Sequence, residues 1–272
     1  MPPPQTRTPT QRKAMTGFPL PQRAQGPLGM NTPAPDYTRG DRTLDFIVGQ
    51  MKADPGSKAG KEIKRHNDAV LEARRQVERA MKEMKEATGL KGVLTTLGGN
   101  QVIDSYQKAA MASSSIAALN FFNQVKPGGP WDYKKDLQRL LDPGILGSDY
   151  LPIMKDAYYP VRGIPTYEYY YDIWTNIHFG YVGRAVGFDE DTLFMGQNLQ
   201  STLGPLGEWL AGKNDEGDNI SVKAGFALWD QQPDPSRLAV KHVVDLVRDT
   251  TAKWQSMMKS KGCKAIVATN NR

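Results

Sequence analysis

The clearest hydrophobic pattern in the chain is a seven-residue repeat of apolar positions between residues 60 and 86. Lys, Arg and Glu fill most of the positions between the apolar ones. This spacing places the apolar side chains on one face of an α-helix, and Thr88-Gly89 predicts its end. The apolar positions are Ile63, Val70, Val77 and Met84.

Three further segments have helical patterns. Apolar residues between 41 and 54 predict a helix that ends in the turn Asp54-Pro55-Gly56-Ser57. Residues 101–125 are rich in Ala and Ser. Because small side chains allow close approach of neighbouring backbones, we expect this helix to be buried. Residues 236–259 again carry apolar side chains at helical spacing.

Shorter elements are predicted in the middle of the chain. The run WDYKKDLQRLLDPG predicts a short helix closed by Asp142-Pro143-Gly144. Nine aromatic residues lie between 158 and 181, and the Thr and Tyr residues at 166–171 favour a strand. Asp189 is the predicted N-cap of a helix through Leu199.

Together these patterns predict a mainly α fold: a single helical domain over residues 41–260 with at most a small β element near residues 160–175. Residues 1–40 contain nine of the 19 prolines of the chain and little to bury, which predicts a disordered proline-rich arm. Residues 261–272 are predicted to be a frayed basic tail.

The net formal charge of +6 is unevenly distributed along the chain. Residues 126–240 contain 10 basic and 16 acidic residues, a net charge of −6, whereas the segments on both sides are basic. A net positive charge is typical of proteins that bind nucleic acids. However, a phosphate-binding channel is normally basic, whereas the aromatic middle segment of this chain is acidic.

Composition narrows the classes of function. No apolar run approaches the roughly 18 residues of a membrane span, and no apolar segment typical of a secretory signal follows the first basic residues. Any export would therefore use a route that does not depend on a signal peptide. One cysteine, Cys263, and three widely separated histidines argue against a disulfide framework or a zinc site, and we expect no metal or cofactor. No phosphate-binding glycine loop or nucleophile elbow is present.

Carboxylates among aromatic rings provide the candidate chemistry. Rings desolvate one carboxyl group and raise its pKa, while polar neighbours keep another ionised, as acid–base catalysis requires. On a helix, Glu168, Asp172 and Asn176 would share a face. The alternative is that the rings form core and the carboxylates are caps or ion pairs. The candidate catalytic residues are Asp132, Glu168, Asp172 and His178.

Candidate substrate-binding residues surround these groups. Glycines there would let a backbone approach closely. Whether His178, between Ile177 and Phe179, is catalytic or structural stays open at this point. The candidate binding residues are Trp131, Lys134, Asn176, Gly180, Tyr181 and Gly183.

The runs VKPGGPWDYK and YYDIWTNIHFGYVGRAVGF resemble the toxin-44 domain of bacterial polymorphic toxin systems. The segments DFIVGQMKADPGSKAGKEIKRHN and FALWDQQPDPSRLAVKHVVDLVR resemble its beginning and end, so the resemblance covers about residues 41–250, with an insertion before KPGGPW. Thr175 stands where related domains often carry glycine. The family's histidine position is sometimes asparagine, which would make His178 a hydrogen-bonding residue.

The resemblance implies a toxin that is delivered into competing bacteria and is encoded beside an immunity protein. Two enzymatic hypotheses follow. The first is hydrolysis of peptidoglycan glycan by a pair of carboxyl groups. The second is a metal-independent ribonuclease that uses His178 with Lys134 or Arg184. A third hypothesis is a non-enzymatic cargo or adaptor whose proline-rich arm binds a secretion or injection apparatus.

Overall fold

The computed structural model describes residues 37–87, 89–141, 158–194, 216–261 and 265–268. The α-helices in these ranges are α1 Thr38–Ala53, α2 Lys58–Glu86, α3 Gly89–Val125, α4 Lys134–Leu141, α5 Asp172–Ala185, α6 Glu190–Phe194, α7 Glu216–Gln231 and α8 Val240–Lys261. The strands are β1 Tyr158–Val161, β2 Ile164–Tyr170 and β3 Ile266–Ala268. Short 3₁₀ helices span Asp54–Gly56 and Pro235–Arg237. The predicted arm up to residue 36, residues 195–199 and Cys263 lie outside the described residues.

The predicted fold class is confirmed: over the described residues the chain is mainly α-helical with one small sheet. β2 lies in the middle of this sheet and pairs antiparallel with β1 and with β3. β3 comes from within residues 261–272, which the sequence predicts to be a frayed tail. Ile266 of β3 is fully buried, so this part of the tail belongs to the core.

The central helix is α5, which is buried along most of its length. It packs against α1 and α7, and Trp174 near its start faces Tyr169 of β2. Tyr169 in turn contacts Trp254 of α8. These rings connect the sheet to the helices, and they fix the beginning of α5 relative to β2.

Close packing of α5 on α7 depends on two glycines. A Cβ atom on Gly180 would lie 2.1 Å from the carbonyl oxygen of Val222, and one on Gly225 would lie 2.2 Å from that of Ile177. Both contacts are with backbone atoms, which cannot rotate away. The two helices can therefore approach this closely only when both positions are glycine.

We expect Gly180→Ala to lower the free energy of unfolding by about 1–3 kcal/mol, because α5 and α7 must separate to admit the methyl group. Gly49→Ala is the matched control, since nothing lies within 4 Å of a Cβ atom there and Gly49 is also helical. The control should change stability by less than about 1 kcal/mol, in the stabilising direction. Thermal melting of both variants checks this, and equal melting temperatures would contradict the packing role.

Helices α2 and α3 form a long hairpin. The predicted helix over residues 101–125 exists, but the expectation that it is buried is wrong. Met111 is 68% exposed and Leu119 is 51% exposed, whereas Ala117 and Phe121 are buried. Small side chains allow close approach, but here only part of the helix surface has a neighbour in the part of the chain that the structure describes.

Candidate functional site

The N-terminal ends of α4, α5 and α7 meet at one place. The Nζ atom of Lys134, the first residue of α4, donates to Asp172 Oδ2, in the first residue of α5, at 2.9 Å. One turn further along α5, Asn176 Nδ2 donates to Asp218 Oδ1 of α7 at 2.7 Å. We call Asp132, Lys134, Asp172, Asn176 and Asp218 the polar cluster.

The loop before α4 places Lys134. Gly128 has φ +76°, a conformation that favours glycine, and its backbone N–H donates to Asp132 Oδ2 at 2.8 Å. A Cβ atom on Gly129 would lie 2.3 Å from the carbonyl oxygen of Gln124. Asp132 also accepts from the backbone N–H of Lys134 at 3.4 Å. The motif KPGGPWDYK therefore shapes a tight turn that delivers Asp132 and Lys134 to the site.

Asp172 accepts hydrogen bonds from more than one donor. Besides Lys134, the hydroxyl of Thr175 donates to Asp172 Oδ1 at 2.6 Å. Asp172 and Asp218 both lie in the first turn of a helix, where the helix dipole favours negative charge. Thr175 thus has a defined role in positioning Asp172.

The electrostatic surroundings of Lys134 are strongly negative. Burial alone would lower the pKa of its ammonium group, but the charge of Asp172 and the hydrogen bond to it, with Asp218 and Asp132 further away, raise that pKa above its ordinary value. Lys134 is therefore a stable cation that three carboxylates surround.

Tyrosine rings line the sheet beside this cluster. Tyr158 and Tyr170 pair across β1 and β2, with ring centroids 5.3 Å apart, and Tyr170 contacts Tyr171 at 4.9 Å. Burial, together with Tyr171 and Asp172, raises the pKa of Tyr170 to about 12. We call Tyr158, Tyr170 and Tyr171 the tyrosine wall.

Glu168 lies on β2, two residues before Tyr170. Alternate residues of a strand point to the same face, so Glu168 and Tyr170 share one face of the sheet, while Tyr169 points into the core. Glu168 is half-buried and pairs in register with Pro160 and Val267. It therefore borders the tyrosine wall rather than the helix N-termini.

His178 belongs to a separate buried group. Its Nε2 atom lies 2.8 Å from Asp54 Oδ2, and the hydroxyl of Tyr133 donates to both carboxylate oxygens of Asp54 at 2.9 and 3.0 Å. Asp54 is 5% exposed and His178 is 2% exposed. Burial and the charge of Asp54 raise the pKa of Tyr133 well above its ordinary value, so its phenol keeps its proton.

This buried triad, Asp54–Tyr133–His178, joins three separate segments of the chain. Tyr133 lies between Asp132 and Lys134, and His178 lies on the helix that carries Asp172 and Asn176. The triad therefore connects the start of α4 with α5, the two segments that carry most of the polar cluster. Nothing in the local sequence distinguishes Asp54 from any other turn aspartate.

Four of the candidate binding residues are enclosed by protein. Trp131 packs edge-to-face on Phe121, and Tyr181 is fully buried with its hydroxyl donating to the carbonyl of Gln232. Gly180 faces α7, and a Cβ atom on Gly183 would lie 2.4 Å from the side chain of Leu193. Their surroundings in the structure are other parts of the chain, which gives all four a packing role.

Of the sequence-derived candidates, the structure brings together Asp132, Lys134, Asp172 and Asn176 and places His178 in the triad. Asp218, Tyr158 and Tyr170 were not among the candidates. Within the described ranges, no three His, Cys, Asp or Glu side chains are grouped closely enough to hold a metal ion. The helices in those ranges also include none with the length and apolar character of a membrane span.

Residues 120–231 match the family model of bacterial toxin 44. The resemblance expected from the motifs is thereby confirmed over these residues, a narrower range than 41–250. All five residues of the polar cluster lie inside the match, whereas Asp54 lies outside it. The search of curated proteins and that of solved structures found no significant match.

The match supports the interpretation that this chain is a bacterial toxin. Such a toxin suggests an immunity partner, and it is consistent with secretion and delivery into target cells.

Proposed function

We propose that this chain is an antibacterial toxin that hydrolyses the glycan of peptidoglycan. The observation that carries the proposal is the polar cluster: three carboxylates around one ammonium group, beside a wall of tyrosines. Carboxyl groups next to aromatic rings suit the cleavage of a glycosidic bond, which needs a proton donor and a second carboxylate.

Charge argues for a substrate without a dense array of phosphates. The matched residues 120–231 contain nine Lys and Arg and 15 Asp and Glu residues, a net formal charge of −6. In the polar cluster, the three aspartates outnumber the single lysine. Nucleic-acid affinity comes mainly from cationic side chains that contact phosphates. The net negative charge of this surface would repel the phosphates.

Each group in the cluster has a proposed role. Asp172 is the carboxylate that activates water or stabilises the positively charged transition state, because its hydrogen bonds from Lys134 and Thr175 fix its position. Glu168, at the edge of the tyrosine wall, is the proposed proton donor to the leaving oxygen. Asn176, fixed by Asp218, presents its amide to a sugar hydroxyl.

The tyrosine wall is the proposed platform for the sugar. Tyr158 and Tyr170 are half-buried, so part of each ring faces outward, unlike Trp131 and Tyr181. Tyrosine combines an apolar ring face with a polar hydroxyl, which suits a ligand that has both kinds of surface. We therefore assign sugar stacking to these rings instead of the two that the sequence favoured.

The ribonuclease hypothesis has less support. It requires His178 with Lys134 or Arg184 at a scissile phosphate. His178 is enclosed and bound to Asp54, Lys134 is paired with Asp172, and Arg184 lies 3.2 Å from Asp230. All three candidate groups are thus engaged by carboxylates.

Two assays together test the proposed function. Purified protein incubated with peptidoglycan sacculi should release soluble muropeptides with new reducing ends, and total RNA should stay intact in the same buffer. Expression in a bacterium should be toxic with a periplasmic export signal and harmless without it. Degraded RNA together with cytoplasmic toxicity would assign the ribonuclease function instead, and inactivity in every assay would favour the adaptor.

The immunity partner should cover the polar cluster. A negative cleft with tyrosine rings is best blocked by a protein that presents Lys or Arg beside an aromatic anchor. Affinity purification of the toxin from the bacterium that encodes it should recover a stoichiometric partner, and Asp172→Lys should weaken that complex at least tenfold. Equal binding of wild type and variant would show that the partner docks elsewhere.

A further inference from the structure

The exposed large apolar side chains of the described residues lie on the α2–α3 hairpin. They are Leu71, Met81, Val102, Met111, Ile116 and Leu119. Four of them belong to α3, immediately before the segment that matches the toxin family. The hairpin therefore carries an apolar surface that the other described residues leave uncovered.

Part of this surface follows the spacing of a coiled coil. Six uncharged residues of α3 alternate at intervals of three and four residues, the a and d positions of a heptad repeat. Every one of them is exposed. They are Val102, Ser105, Ala109, Ala112, Ile116 and Leu119, which we call the outer stripe.

The outer stripe is distinct from the contact between α3 and α2. The positions that follow it by one residue, such as Ala110, Ser113 and Ala117, are half-buried or buried. They form a second heptad series, which has the same spacing and the lower exposure expected of the face toward α2. α3 thus carries two neighbouring heptad seams, of which only one has a partner among the described residues.

We propose that the outer stripe binds the outer stripe of a second copy of this chain, with the two α3 helices antiparallel. Their two-fold axis would pass between residues 110 and 111. Val102 then faces Leu119, Ser105 faces Ile116, and Ala109 faces Ala112, so that two large apolar residues meet at each end and small residues meet at the centre. A two-fold interface must be self-complementary in this way.

The charge pattern favours a second copy over a charged partner. The outer stripe has no charged residue, and the nearby Asp104 and Lys108 form an ion pair at 2.7 Å. α2 holds nine Lys and Arg against six Asp and Glu. An acidic partner would be attracted to α2, whereas two neutral stripes meet without like charges opposed.

The length of the stripe predicts a reversible dimer. Seventeen residue steps along a helix cover about 26 Å. A contact between one helix of each copy over this length is small beside the interfaces of obligate dimers, which bury about 2,000–5,000 Å² or more. We expect sedimentation velocity to show a monomer at low concentration and a dimer at high concentration. Ala112→Glu and Ile116→Glu, both at positions exposed in the monomer, should abolish the dimer. At a concentration where the wild type is monomeric, they should leave the melting temperature unchanged.

Met111→Glu is the matched control, because Met111 is 68% exposed and lies on another face of α3. It should dimerise like the wild type. Cysteine cross-linking in a Cys263→Ser background tests the orientation. A mixture of Val102→Cys and Leu119→Cys chains should form disulfide-linked dimers on mild oxidation, and Val102→Cys alone should not.

A protein that is monomeric at every concentration would overturn the proposal. If that monomer sedimented with phosphatidylglycerol vesicles and Ile116→Glu released it, the stripe would be a membrane-binding surface instead. Cross-linking of Val102→Cys with itself would overturn the antiparallel arrangement. None of these outcomes depends on the substrate of the polar cluster.

Discussion

Asp172→Asn should reduce the rate of the proposed glycan hydrolysis by about 10²–10⁴-fold, the usual contribution of one acid–base group. The substitution keeps the size of the side chain, replaces one carboxylate oxygen by an NH₂ group and removes the charge. Thr175 donates to Oδ1 and Lys134 donates to Oδ2 of Asp172, so the single amide oxygen can keep one of these two hydrogen bonds. The loss of activity would therefore report the loss of the carboxylate itself.

Stability should change little in this variant. Lys134 is 42% exposed at the surface of the cluster, so water can solvate its ammonium group when the partner charge is gone. Exposed ion pairs contribute about 0–1 kcal/mol to the free energy of unfolding. A wild-type melting temperature together with inactivity separates a catalytic role for Asp172 from a structural one.

The measurement is muropeptide release from sacculi by wild type, Asp172→Asn and Asp230→Asn. Asp230 is the matched control, because it is an exposed α7 carboxylate that pairs with Arg184 rather than Lys134. Full activity of Asp172→Asn would exclude Asp172 from the chemistry. Loss of activity in the control as well would indicate a general effect of negative charge.

Elements with strong periodicity or clear end signals could be predicted from the sequence. α2 follows its seven-residue repeat, and Asp189 accepts from the backbone N–H of Thr192 at the start of α6, as an N-cap does. α7 was missed, because Glu216–Gln231 mixes Gly, Asn, Ser and Asp with its apolar residues. It forms a helix because Gly225 lets it pack closely on α5.

The candidate site likewise contains some contacts that could be predicted from the sequence and others that could not. Asp172 and Asn176 could be placed together because a helix brings positions four apart to one face. Asp218, 42 residues after Asn176, accepts a hydrogen bond from it, and no local sequence pattern predicts that contact. The sequence shows which residues are aromatic but not how far each ring is buried. Only the packing shows that Trp131 and Tyr181 are enclosed, whereas Tyr158 and Tyr170 are half-buried.

The second large effect is expected at Asp54, in the turn after α1. Asp54 accepts hydrogen bonds from Tyr133, and His178 Nε2 lies 2.8 Å away, all within the core. Asp54→Ala would leave the phenol and the imidazole buried without their acceptor. Breaking a buried pair by removing one partner costs about 3–5 kcal/mol of unfolding free energy.

Thermal and urea unfolding measure this effect. For a chain of this size, such a loss corresponds to a fall in melting temperature of about 6–20 °C. Asp45→Ala is the matched control, because Asp45 lies on the exposed face of α1 and should change stability by no more than about 0.5 kcal/mol.

A double-mutant cycle assigns the effect to the triad. Asp54→Ala and His178→Ala share one interaction, so their combined cost should be smaller than the sum of the single costs by about 0.5–3 kcal/mol. Additive costs, or an Asp54→Ala variant as stable as the Asp45→Ala control, would contradict this account. Because Asp54 lies outside the family match, the isolated segment 120–231 lacks this acceptor, and it should unfold more readily than the full chain.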